Sequence, residues 1–322
     1  MNPILPGAPW LIAHKSMLGI NRPQKIALNG IDYVLWQNPE GEVFALNNVC
    51  PHLQAPLSQG WICQERNTIV CPFHAQEFNK EGKLYQSNRV SSSPMVEVLD
   101  IVCRGDYIWS YGGWEPKVSI PDLIERVSTG FKFVGIVEND SLDGDFLSHL
   151  LINYDYNHVK GTHRDLFTLE KFEIYDYQKN GVNLQLKQKI IRAEDSWQEL
   201  LKNPVALILP KTYVNQLEYS FPSLTSLVGT YPFGKALQIN VLYPETEKKT
   251  KAFILVFAQA HPLIITLLKN LLLKSVAQLF KQDIDAVKSL YPQAPPRIKL
   301  PHEEIMFEAK KLYLNWSQEK FD

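Results

Sequence analysis

Cysteine is scarce: 4 in 322 residues, too few and too scattered for a disulfide scaffold, which points to a reducing, cytoplasmic setting. An excess of charge of either sign is also missing. With 33 Lys and Arg against 34 Asp and Glu, and a formal net charge of −1, the chain carries no electrostatic footprint for nucleic acid, so a small molecule or another protein is the expected partner. The opening stretch MNPILPGAPWLIAHKS lacks the basic-then-apolar layout of a secretory signal. Long apolar runs are lacking too. The most apolar stretch, residues 263–280, is interrupted by Lys269, Asn270 and Lys274, costly at a bilayer centre, so it is expected to be a buried helix and no transmembrane segment, with peripheral membrane contact left open. No G-x-G-x-x-G follows a strand-like run and no second cysteine cluster exists, which argues against a dinucleotide-binding module within these residues. Internal repeats and low-complexity segments are absent.

What is there suggests two domains. From about residue 20 to 115 come short β-rich runs such as KIALNG, DYVLWQNPEGEVFAL, TIVCP and MVEVLDIVCRGDYIWSY, separated by turn residues including Asn38-Pro39-Glu40-Gly41 and Asn79-Lys80-Glu81-Gly82. That pattern predicts a small antiparallel all-β domain. Gly and Pro cluster between Gly112 and Pro121, placing the boundary so that the domains are 1–117 and 118–322. Beyond it, FKFVGIVE, FEIYDYQKNGVNLQLKQKII, TYVNQLEY, LQINVLY and KAFILVFAQA read as one antiparallel sheet, with a hairpin at Asn180-Gly181. The intervening LDGDFLSHLLINYDYNHVKGTHRDLF has helical apolar spacing, and a long C-terminal helix is expected from Pro262 to a stop at Pro292. The second domain is thus α+β.

Two constellations carry chemistry. In the first, Cys50-Pro51-His52 is followed after 18 residues by Cys71-Pro72-Phe73-His74, one thiolate and one imidazole on each of two loops. A zinc site normally pairs like with like, whereas mixed pairs suit a diiron cluster whose one iron takes both sulfurs and the other both imidazoles. Zinc, or two core cysteines beside two surface histidines, are the rival readings. Cys63 and Cys103 have no such company and are assigned to core packing. In the second, Asp155 and His158 lie three apart, as on one helix face, and His163 lies five further on, with Gly161 between to swing it back. Asp283 or Asp285, amid Leu279, Phe280, Ile284 and Val287, could add a carboxylate to complete a two-histidine, one-carboxylate triad. Taken alone, that polar segment could equally be a solvated face.

CPHLQAPLSQG and CPFHAQEFNKEGK resemble the two cluster boxes of Rieske domains, and PWLIAHK, VLWQNPEGEVFALNNVCPH and VEVLDIVCRGDYIWSY resemble the flanks found in Rieske non-haem iron oxygenases. Two departures stand out. His74 is followed by Ala75 and Gln76 where the family has Gly-Trp, and the Arg-Gly after the first histidine is missing. Respiratory Rieske proteins carry an extra cysteine in each box; the corresponding positions here are Ala55 and Phe73, which points to the low end of the Rieske range, about −150 mV.

The resemblance covers nearly the whole chain and implies the catalytic α subunit of an α-only, ring-hydroxylating type. It implies an N-terminal Rieske [2Fe-2S] domain with Cys50, His52, Cys71 and His74 as ligands, then a helix-grip-like catalytic domain. There His158, His163 and Asp283 would hold a mononuclear Fe(II), Asp283 being favoured over Asp285 by the family's Phe-x-x-Asp pattern. Asp155 would relay electrons from a cluster histidine of a neighbouring subunit, with Asn153 near the route, and His149 and His261 would be non-ligands. The implied partners are a separate NAD(P)H-dependent reductase or ferredoxin, O2 as cosubstrate, and further copies in a head-to-tail homotrimer. The substrate would be a small aromatic or polycyclic molecule, with natural-product hydroxylases such as those tailoring the saxitoxin skeleton among the similar proteins. A non-catalytic Rieske electron carrier and an oxygenase-fold demethylase or desaturase are the alternatives.

Overall fold

Turn chemistry and alternation decide the architecture in a computed structural model, which describes residues 3–164, 169–193, 210–290 and 297–318. The chain divides into two compact units, one running to Ile120 and including Tyr243–Lys248, the other comprising Pro121–Leu242 and Lys249–Phe321.

The first unit is built from β1 (Trp10–His14), β2 (Gln24–Leu28), β3 (Ile31–Gln37), β4 (Val43–Asn47), β5 (Trp61–Cys63), β6 (Thr68–Val70), β7 (Glu77–Phe78), β8 (Leu84–Gln86), β9 (Arg89–Val90), β10 (Val102–Arg104) and β11 (Tyr107–Ser110). They form three antiparallel sheets, ordered β1-β11-β10, β2-β3-β4 and β5-β6-β7-β8-β9. Asn38 and Gly41 close the β3–β4 turn, Gly41 N–H donating to Asn38 O at 3.1 Å. Between β7 and β8, Gly82 sits at φ 69, and a Cβ there would meet Val96 O at 1.9 Å. Only glycine satisfies both demands. Val34, Trp36, Leu46, Ile69 and Phe78 form a dry core, and Cys50 and Cys71 belong to it. Cys63 is half-buried, but Cys103 does not join any core: it lies exposed on β10, the last strand of its sheet. Its apolar neighbours in sequence suggested packing, yet β10 has one strand partner and all three of its residues are exposed.

The second unit centres on an eight-stranded sheet of β12 (Lys132–Glu138), β13 (Leu142–Asp143), β14 (Leu169–Asn180), β15 (Asn183–Arg192), β16 (Thr212–Ser220), β17 (Leu224–Tyr231), β18 (Gly234–Thr246) and β19 (Lys249–Ala260). Its order is β12-β19-β18-β17-β16-β15-β14, with β13 also on β19. Strand alternation is visible in β15, where Leu184, Leu186, Gln188, Ile190 and Arg192 are buried and their neighbours are not, the period-2 signature of a sheet with one covered face. By contrast Ala252 to Ala258 of β19 are buried without interruption. The predicted hairpin forms with Asn180 paired to Asn183 and Gly181 at φ 56. β17 escaped the sequence pattern because LTSLVGTY mixes Ser, Gly and Thr among its apolar residues.

Five helices accompany this sheet among the described residues: α1 (Leu123–Val127), α2 (Phe146–Tyr154), α3 (Val159–Thr162), α4 (Pro262–Lys288) and α5 (Glu304–Leu314). Asp145 caps α2, its carboxylate accepting from Ser148 N–H at 2.9 Å, a favourable start for a short helix. α4 opens with His261 as N-cap and Pro262 in the first turn and ends at Lys288; the stop expected at Pro292 lies outside the described residues. The expectation of a buried helix holds for only part of α4. Val276, Phe280, Ile284 and Val287 are buried, whereas Leu263 and Leu267 are 74% and 82% exposed. Among the described residues it is the one helix whose length and composition would suffice to cross a membrane.

Candidate metal centres

Two loops of nearly identical build carry the first donor set. Cys50 N–H donates to Ala55 O at 2.9 Å and Gln54 N–H returns to Cys50 O at 2.9 Å; Cys71 N–H donates to Gln76 O at 2.8 Å and Ala75 N–H returns to Cys71 O at 3.1 Å. Each loop therefore folds back on its own cysteine, and each needs a left-handed residue four positions on: Gln54 at φ 61 and Ala75 at φ 53. These are the positions where the Rieske pattern has glycine. A side chain there costs on the order of 1–2 kcal/mol of backbone strain.

The geometry separates the two donor types. Cys50 and Cys71 are both 1% exposed, with Cys71 close enough to interact with the Cys50 sulfur. Burial pushes the Cys50 thiol up, opposed by the backbone N–H groups of His52 and Leu53. A buried pair of thiols facing donor N–H groups is suited to carry thiolate charge onto a metal cluster. His52 and His74 lie at the surface with their Nδ1 atoms 3.2 Å apart, beside the exposed Phe73 and Leu53. Two sulfurs inside and two Nδ1 atoms outside suit a [2Fe-2S] cluster in which one iron takes both sulfurs and the other both imidazoles.

The second set is assembled from distant segments. α2 ends at Tyr154, Asp155 turns extended, and α3 is a single turn with His158 at its N-cap and His163 at its C-cap. The expectation that Asp155 and His158 share a helix face is therefore wrong. With the helix broken, His158 Nδ1–H donates to the backbone carbonyl of Asp155, and the Asp155 carboxylate accepts from Asn157 N–H at 2.8 Å. Gly161 is not the device that turns His163 inward; the helix simply ends there. His163 Nδ1–H donates to Gln282 Oε1 at 2.9 Å, a partner no sequence pattern flagged, and His163 is 5% exposed.

With both Nδ1 atoms as donors, both Nε2 atoms carry lone pairs, and both aim at one oxygen. His158 Nε2 and His163 Nε2 lie 3.3 and 3.1 Å from Asp283 Oδ1. That oxygen is buried with no hydrogen-bond donor in this tautomeric arrangement. Three electron-rich atoms within 4.8 Å of one another repel unless a proton or a cation sits among them. Burial pushes His158 down, but the hydrogen bond and charge of Asp283 outweigh it and hold the imidazole above its usual value. Burial pushes Asp283 up, yet the two imidazoles hold it below the usual carboxylate range. The donor set fits a divalent metal held on one face, leaving other positions open. Asp285, two residues on along the helix, is exposed.

The remaining candidates lie aside. His149 is buried with Nε2 3.0 Å from Asp143 O, and the His261 Nδ1 accepts from Leu263 N–H at 3.4 Å. Asn153 bridges His149 O at 2.8 Å and Asn240 at 3.1 Å. An apolar cavity of about 170 Å³ lies in the same unit, walled by β17, β18, β19 and α4 up to Leu279, one helical turn before Asp283.

Comparison with known proteins matches the segment of the first donor set to a family and the whole chain to a fold. The Rieske [2Fe-2S] domain family matches residues 9–98. The oxygenase component of dicamba O-demethylase from Stenotrophomonas maltophilia is 27% identical over 178 residues, 53% of this chain and 48% of that protein. The vanillate O-demethylase oxygenase subunit of Pseudomonas sp. (strain HR199 / DSM 7063) is 31% identical over 96 residues, 29% of this chain and 26% of the relative. The matches thus span about half or less of these curated relatives. A crystal structure of dicamba monooxygenase bound to dicamba superposes with a TM-score of 0.78 over 98% of both chains at 19% identity, a likeness of fold. Residues 9–98 thus match the Rieske [2Fe-2S] domain family, and the chain as a whole has the fold of dicamba monooxygenase.

Proposed function

We propose that this chain is the catalytic subunit of a Rieske oxygenase that takes electrons from a separate reductase or ferredoxin, itself fed by NAD(P)H, and uses O2 to hydroxylate a small organic substrate. Residues 1–117 serve electron entry and 118–322 the oxygen chemistry. The observation that carries the reading is the buried, donor-less Asp283 Oδ1 faced by two imidazole nitrogens in a chain that also carries a Rieske domain. When bound, the [2Fe-2S] cluster and the mononuclear iron supply one-electron transfer and O2 activation.

The chain's own residues arrange that chemistry. Cys50 and Cys71 keep the sulfur end dry, while His52 and His74 present their ring edges at the surface. The Asp155 carbonyl and Gln282 set the tautomers of His158 and His163, so that a metal meets lone pairs and not N–H groups. We assign Asp155 the relay of electrons from a cluster histidine of a neighbouring subunit in a homotrimer, an assignment resting on the resemblance of this segment to the Rieske oxygenases. Four cysteines without disulfide partners agree with a reducing, cytoplasmic setting.

Metal analysis of protein produced anaerobically with ample iron tests the reading: three irons per chain are expected. Two irons with an intact cluster spectrum would leave a Rieske electron carrier. O-demethylation is the second reading, favoured by the names of both curated relatives; release of formaldehyde from a methoxy substrate would distinguish it from ring hydroxylation.

A further inference from the structure

The cavity beside α4 bears on what the oxygenase would act upon. Its walls come from the β17–β18 hairpin (Leu227, Ala236), from Val256 of β19, and from α4 (Leu268, Leu272, Leu279). Among the described residues that line it there is no Asp, Glu, His or Arg, and one charged side chain, Lys235. Lys235 is exposed and follows Gly234 at the start of β18, next to the β17–β18 turn, where a Cβ on Gly234 would meet Ala260 Cβ at 2.8 Å. The turn thus abuts the start of α4. From Ile264, in the first turns of α4, to Asp283 the helix rises about 28 Å, so the one cation stands at the end remote from the histidine and aspartate donors.

That placement separates classes of ligand. An aromatic carboxylate of one or two rings, seated with a carbon near Asp283, could not reach Lys235, and among the described lining residues its anion would meet no other cation, only apolar side chains and the uncharged Tyr231, Gln238 and Ser275. Desolvating an unpaired carboxylate is among the most costly events in an apolar site. An uncharged ring meets no such obstacle. The volume of about 170 Å³ compares with roughly 150 Å³ for a dry, leucine-lined cavity that takes up benzene, so the space suits a hydrocarbon portion of one or two rings. Ser275 and Gln238 are among the few polar side chains in the lining, able to orient a hydroxyl, ether or carbonyl oxygen.

We infer that the substrate is an uncharged lipophilic molecule that seats a small ring system or branched hydrocarbon portion between α4 and β17–β19, and that aryl carboxylates are not its class. The inference rests on the oxygenase reading for where reaction occurs, but ligand binding can be measured without turnover. Equilibrium dialysis of the iron-loaded protein against naphthalene and 2-naphthoate, identical ring systems differing in charge, supplies the test. Naphthalene should bind at least about tenfold more tightly, the carboxylate bearing the desolvation penalty. Ser275→Lys should reverse the preference by placing a cation within reach, and Leu272→Trp, filling the cavity, should abolish naphthalene binding while circular dichroism stays native. Should Ser275→Lys fail to fold, Leu272→Trp decides alone. Equal or tighter binding of 2-naphthoate by the unaltered protein overturns the inference, as does naphthalene binding that survives Leu272→Trp. Loss of the oxygenase reading would show differently, as two irons per chain with naphthalene still bound in the cavity.

Discussion

The two metal centres are built on opposite principles. The cluster donors lie within 25 positions of one another, Cys50 to His74, on two loops that each close on their own cysteine. The mononuclear donors come from a one-turn helix and from α4, with Gln282 and His163 119 residues apart. A site made of self-closing loops is set by local chain conformation; a site made of a docked helix exists only when the unit has packed. Local construction makes the first robust to distant change and sensitive to its own loops, and the second the reverse.

The sharpest contrast should come from Cys71→Ser. Removing one of two buried sulfurs should eliminate the cluster, with loss of visible absorption and a fall from three irons per chain to one, the mononuclear site keeping its metal. Cluster absorption surviving in this variant would break the assignment. Next in size, Gln282→Leu should leave the cluster spectrum untouched but free the His163 Nδ1–H and with it the ring's orientation. Metal affinity at the mononuclear site should fall about 10–100-fold, as for other partners of ligating histidines, read by Co(II) titration; Gln282→Glu, which restores an acceptor, should recover most of it.

A smaller effect tests the loops themselves. Ala75→Gly removes a side chain from a residue at φ 53 and should stabilise the first unit by about 0.5–1 kcal/mol, strain relief being partly offset by the freedom glycine gains on unfolding. Thermal unfolding followed at the cluster absorption would show it, and a lowered midpoint would contradict the strain argument. The smallest concerns acid. Glu77 receives two hydrogen bonds from Arg66, at 2.9 and 2.8 Å, and one from Thr68 at 2.9 Å. The Arg66 hydrogen bonds hold its carboxyl below the ordinary value of 4.5 against the pull of burial. A lowered folded-state value means its stabilisation is present above about pH 4.5 and is lost as pH falls through the depressed value. Glu77→Gln should therefore cost less than about 1 kcal/mol at neutral pH, this pair being partly solvated, and nothing in strong acid, as denaturant midpoints at pH 7 and pH 3 would reveal.

Legibility in the sequence followed the same divide. Cys50, His52, Cys71 and His74 could be read as a set because spacing in a short β domain is spacing in space. Asp283 over Asp285 was readable from a residue pattern, and the structure adds the reason, since two helical positions rotate the side chain by about 200°. Asp155 was misread in its detail: the run NYDYNH has helical spacing, yet the helix stops at Tyr154 and the backbone carbonyl, with no sequence signature, does the holding. Gln282 was invisible, for a glutamine in a polar helix turn acquires meaning only once α3 lies beside it. β17 and α5 were missed for weaker local patterning, and the exposure of Leu263 and Leu267 could not be foreseen because apolar composition alone does not say which face finds a partner.

α4 is both a wall of the apolar cavity and the carrier of Asp283 and Gln282. An unbroken α-helix is stiff along its axis, so whatever enters beside Leu272 or Leu279 and pushes the rod sideways or turns it carries the carboxylate and the histidine's anchor along with it. Occupancy of the greasy slot and the shape of the metal's coordination sphere are thereby geared together by a single piece of backbone, and neither can be adjusted in isolation.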